Sequence, residues 1–134
     1  MNGDETTPAG AHLDIDARAL DPDAVRALYE LLGEDREALA EIVDAFLDEA
    51  PKRLAELRRG VDGDDPALAG RAAHTLKSNC GTFGAVELVS LCRRLEEAAR
   101  ANDLAGSADL LDAVDVQWTL VSKELTALRG GGRL

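Results

Sequence analysis

Apolar positions recur every three or four residues along most of the chain and show no strand-like alternation, so the pattern predicts helices throughout. A short helix opens at Asp21-Pro22, where Asp is a good N-cap and Pro suits the first turn, and it stops at Gly33; Val25, Leu28 and Leu32 form its stripe. A second runs from about Asp35 to Arg59, with Leu39, Ile42, Val43, Phe46, Ala50, Leu54 and Leu57 in phase. Pro51 falls inside this run and predicts a kink, because the stripe continues in phase beyond it. Gly60 to Asp65 reads as a turn. Asp65-Pro66 then restarts a helix that buries Leu68, Ala69, Ala72, Leu76 and Cys80, and Gly81 and Gly84 end it near Thr82.

A fourth pattern, from about Ala85 to Ala101, buries Leu88, Leu91, Cys92, Leu95 and Ala99, with Asn102 and Asp103 at its exit. The last, from about Leu104 to Leu128, places Leu111, Val114, Trp118, Val121, Leu125 and Leu128 on heptad a/d spacing, and Trp118 reads there as core filler. Long striped helices with short connections predict an all-α fold, an antiparallel up-down four-helix bundle with a short additional N-terminal helix. Residues 1–12 are expected to be a flexible N-terminal tail, 13–129 the bundle, and 130–134 (Gly130 to Leu134) a flexible C-terminal tail.

Composition narrows the functions. The 134 residues carry 15 Lys and Arg against 26 Asp and Glu, a net charge of -11, which argues against nucleic acid or an anionic membrane as partner. No stretch is apolar enough to cross a bilayer, and the start of the chain (Met1 to Glu5) has no signal-peptide layout, so a cytoplasmic protein is expected, and a free-standing one. Cys80 and Cys92 lie within helical patterns and read as reduced core thiols. The acidic faces read as solvated surface.

One residue does not fit a plain bundle. Projected at about 100° per residue, His74 falls opposite the apolar cluster of its helix and should be accessible. Its neighbours on that face are Gly70, Lys77, Ser78 and Gly81. Glycine costs about 1 kcal/mol in a helix interior, so a face kept this flat suggests that another protein's backbone comes close to the ring. Lys77, one turn along, supplies a positive charge suited to a phosphoryl group or another anion.

The segment Ala73-His74-Thr75-Leu76-Lys77-Ser78-Asn79-Cys80-Gly81-Thr82-Phe83-Gly84-Ala85 resembles the signature of histidine-containing phosphotransfer (HPt) domains of bacterial phosphorelays, Ala-His-x-Leu-Lys-Gly-Ser followed by Gly-Ala. Ile42, Phe46 and Leu47 before it, and Cys92, Leu95 and Glu96 after it, extend the likeness over roughly residues 14 to 128. The resemblance implies His74 as phosphoacceptor, Lys77 as a group that helps hold the phosphoryl, and small neighbours that admit a receiver domain. It also places Glu49, Glu96 and Arg100 where the family often has polar groups that orient the imidazole or contact the partner. Ser78 departs from the family's commonest Gly; it is still small, and its hydroxyl is a candidate ligand for a phosphoryl oxygen.

The implied function is a stoichiometric carrier, not an enzyme, that accepts a phosphoryl group from a receiver-domain aspartate and passes it to another receiver in a multistep relay. A hybrid sensor histidine kinase and response-regulator receiver domains are the implied partners. Mg²⁺ is expected on the receiver, and no metal or cofactor on this chain, which has no Gly-rich phosphate loop. A monomer is expected, although an exposed part of the last helix's stripe could support a dimer. Three rival readings are a scaffold that binds a receiver without accepting phosphate, a hydrolase with His74 as base, and a zinc site joining His12, His74, Cys80 and Cys92. The hydrolase lacks a paired nucleophile, and the zinc spacing matches no common module.

Overall fold

A computed structural model describes residues 19–130. Those residues form five helices and no strand: α1 (Pro22–Leu31), α2 (Arg36–Asp62), α3 (Pro66–Thr82), α4 (Val86–Arg100) and α5 (Ser107–Gly130). Each of α2 to α5 packs on its chain neighbour, and α5 returns to α2, which closes a four-helix ring; α1 lies against α2 and α3. The links 63–65, 83–85 and 101–106 are too short to recross the bundle, so successive helices run antiparallel.

Capping chemistry sets the element starts. Asp21, Asp35 and Asp65 each accept a hydrogen bond from a backbone N–H in the first turn of the helix that follows. Asn102 and Gly84 take left-handed backbone conformations after α4 and α3, at φ 59° and 68°. Gly84 is held to glycine twice over, since a Cβ there would lie 2.6 Å from the Asp21 side chain and 2.7 Å from that of Ala24. This close seat docks α1 on the α3–α4 link, where the Asp21 N–H donates to the Gly84 carbonyl. From the other side, Glu124 on α5 accepts from the N–H groups of Ala19 and Leu20.

The predicted stripes form the core, except that Leu68 is only partly buried, with three further corrections. Gly60 is no turn: it lies buried within α2, which continues to Asp62. Pro51 lies inside α2, which runs on unbroken as the in-phase stripe implies; its ring faces solvent while Ala50 and Leu57 hold the helix to the core. Trp118 is only half-buried, packed on the rim of the core and edge-on to Phe46 at 5.5 Å between ring centroids, whereas Tyr29, Phe46 and Phe83 are the buried aromatics. Finally, α5 starts at Ser107 with Leu104 buried ahead of it, and it reaches Gly130, which the sequence pattern assigned to the tail. The remaining tail residues, 1–12 and 131–134, and with them His12, lie outside the described residues.

Candidate functional site

The site rests on the α3–α4 pair. Ala69, Ala72, Ala73, Leu76 and Cys80 bury the inner face of α3, which leaves His74 outward with its side chain 64% exposed. Opposite it, Leu88, Leu91, Cys92, Leu95 and Ala99 bury α4 and bring Glu96 to the seam between the helices, where its side chain is only 12% exposed. Gly70 makes this seam tight, since a Cβ on it would lie 3.3 Å from the Ala99 Cβ.

Glu96 is the hub. One carboxylate oxygen, Oε2, lies 2.8 Å from His74 Nδ1, and the other, Oε1, accepts from Lys77 Nζ at 2.6 Å. Arg100, one turn along α4, approaches Oε2 at 3.5 Å. The Lys77 hydrogen bond foremost, with His74 adding to it, holds the Glu96 carboxyl below its ordinary range against the opposing effect of burial. An ionised carboxylate only accepts hydrogen bonds, so His74 Nδ1 must be the donor. In the neutral ring this leaves the Nε2 lone pair free, on an imidazole turned toward solvent.

The other residues picked out by sequence divide. Ser78 and Gly81 are exposed on the His74 side of α3, and a Cβ on Gly81 would meet nothing within 4 Å. Glu49 is not brought to the imidazole: it pairs within α2 to Lys52 at 3.8 Å and Arg53 at 3.9 Å. It lines a separate groove with Ile42, Phe46, Asn79 and Phe83, because α2 packs on α3 along a different seam from α4. Sequence reasoning missed Arg71 and Thr75, which line an open groove beside His74 with Pro66, Gly70 and Arg100. Arg71 stands three residues before His74, and that spacing was the available signal.

Among the described residues no group of three or more His, Cys, Asp and Glu side chains is placed to hold a metal ion. Cys80 and Cys92 are buried free thiols, on the inner side of the helices that carry His74 and Glu96. No helix there is long and apolar enough to cross a membrane.

The Hpt domain family model matches residues 41–131, which takes in all of this geometry. The chain belongs to the Hpt domain family. It is 33% identical over 103 residues, 69% of its length, to the chemotaxis protein CheA of Rhizobium meliloti, and spans 14% of that much longer protein. Its fold is similar to the crystal structure of histidine-containing phosphotransfer protein B of Pseudomonas aeruginosa, with a TM-score of 0.78 over 85% of this chain and 96% of the other, at 24% identity. The helical bundle is thus the family's, and this Hpt domain carries its accessible histidine on α3.

Proposed function

We propose that this protein is a phosphocarrier that takes a phosphoryl group onto His74 Nε2 from the aspartyl phosphate of a receiver domain and yields it to the aspartate of another. The observation that carries the reading is the hydrogen bond between His74 Nδ1 and Glu96. In the neutral ring it keeps the proton on Nδ1 and presents the opposite nitrogen as an exposed nucleophile.

In the transfer, the Nε2 lone pair attacks phosphorus in line, an N–P bond forms, the acyl O–P bond breaks, and the aspartate leaves as a carboxylate. The ring keeps its Nδ1 proton and gains positive charge, which Glu96 stabilises at 2.8 Å. In this reading Lys77, which donates to Glu96 in the resting protein, turns to the incoming phosphoryl oxygens. The return step runs the same exchange backwards onto a second carboxylate. Positioning and charge neutralisation supply the catalysis, and a Mg²⁺ ion held by the receiver completes it, so the chain acts as a stoichiometric participant. Likeness to part of a chemotaxis protein supports a signalling setting; a hybrid sensor histidine kinase at the head of the relay and exchange in the cytoplasm complete the proposal.

The test is transfer from a radiolabelled receiver domain to the wild-type chain and to His74→Gln. Acid-labile, base-stable label on the wild type alone is the expected result. Equal label on the variant overturns the assignment of His74, and binding of several receivers with no label on the wild type replaces the carrier with a scaffold.

A further inference from the structure

Charge is distributed unevenly about His74. Residues 66–100, which make up α3 and α4, hold five basic side chains (Arg71, Lys77, Arg93, Arg94, Arg100) against three acidic ones (Glu87, Glu96, Glu97), a net +2. With the chain at -11 overall, the remainder carries -13.

The basic side chains are also placed on the site. Arg71 and Arg100 line the groove beside His74. Arg93 and Arg100 stand three residues before and four after Glu96, on the same face of α4. Arg71 and Arg93 are exposed and the Arg100 side chain is 71% exposed, whereas the carboxylate among them is nearly covered.

Elsewhere on the surface Lys52, Arg53, Arg58 and Arg129 each face a carboxylate and Arg59 and Lys123 stand unpaired, whereas Arg71 and Arg93, which also form no ion pair among the described residues, lie on the helix pair that carries His74. Unpaired arginines contribute little to the stability of a bundle. Their field, on an otherwise anionic molecule, attracts a negative surface to one face and repels it from the rest.

We propose that Arg71, Arg93 and Arg100 form a docking surface for an acidic patch on the protein that exchanges phosphoryl groups with His74, an inference that rests on the phosphocarrier reading. The α3–α4 face captures the partner electrostatically, and the anionic remainder directs the approach.

The test measures association with a receiver domain by stopped flow for wild type, R71E/R93E, R71Q/R93Q and a control of equal net charge on the α2–α5 side, R58E/K123E. At about 0.01 M ionic strength, where the screening length is about 30 Å, R71E/R93E should associate about ten-fold more slowly, the glutamine pair by an intermediate factor, and the control within about two-fold of wild type. At about 1 M, where that length is about 3 Å, all four should converge. Equal slowing by the control, or wild-type association indifferent to salt, overturns the docking surface. Label reaching His74 at rates indifferent to these charges sinks the docking proposal alone. The predicted charge dependence of binding without label sinks the phosphocarrier reading alone, and absence of any binding sinks both.

Discussion

Gly60 on α2 is pressed against Ala69 on α3: a Cβ on Gly60 would lie 2.6 Å from the Ala69 amide nitrogen and 2.9 Å from its Cβ. The obstruction is backbone, which cannot swing aside as a side-chain tip can. Gly60→Ala should therefore lose about 1–3 kcal/mol of stability through overpacking, more than the roughly 1 kcal/mol that alanine gains over glycine as a helix former. An unchanged urea midpoint would show that α2 and α3 can separate without cost.

Gly81 offers the opposite case on the same helix pair, since a Cβ there meets nothing and the backbone is helical. Gly81→Ala should raise stability by about 0.5–1 kcal/mol. If the flat surface beside His74 serves a docked partner, the same substitution slows phosphoryl transfer while raising the thermal midpoint. A variant both more stable and equally fast would take Gly81 out of the interface.

The Glu96 carboxylate sets the imidazole tautomer. Nitrogen NMR of the wild type should show the neutral form of the His74 ring protonated on Nδ1 and bare on Nε2. Glu96→Ala should shift the ring toward the mixture of an unconstrained histidine and slow transfer by roughly ten-fold or more, in line with the loss of an orienting partner. A wild-type ring protonated on Nε2 would contradict the geometry.

Acid stability follows from the same carboxyl, which Lys77 and His74 hold below the ordinary value of 4.5. Between its native and unfolded values the unfolded chain binds more protons at this group. The stability it contributes is therefore complete above 4.5 and is lost as pH falls through the lower native value. Urea midpoints between pH about 5 and 3 should fall more steeply for wild type than for Glu96→Gln. Parallel slopes would remove Glu96 from the acid response.

Burial pushes the Cys92 thiol up to about 12, with the nearby Glu96 charge adding to it, and raises Cys80 further still. Since the thiolate is the reactive form, neither should react with a thiol reagent in the native protein at pH 8, and both should react in denaturant. Rapid native labelling of either would show that α3 and α4 open locally.

The chain's own periodicity determined the helices, their order and the outward position of His74, because an apolar stripe at helical spacing has one stable solution, burial against its neighbours. The motif Ala73-His74-Thr75-Leu76-Lys77 was enough to single out His74 and Lys77 as a pair on one outward face, since both lie on one turn of one helix. Which carboxylate would serve the imidazole was not legible there. Glu49 and Glu96 are equally polar positions on striped helices, and the packing of α4 on α3, made close by Gly70 against Ala99, is what sets Glu96 and not Glu49 against His74. The same holds for Gly60, whose identity reads as a stop until Ala69 stands against it. Spacing along a helix is a local property and was visible from the start, whereas contacts between helices depend on their relative rotation and depth of packing, which no single stripe specifies.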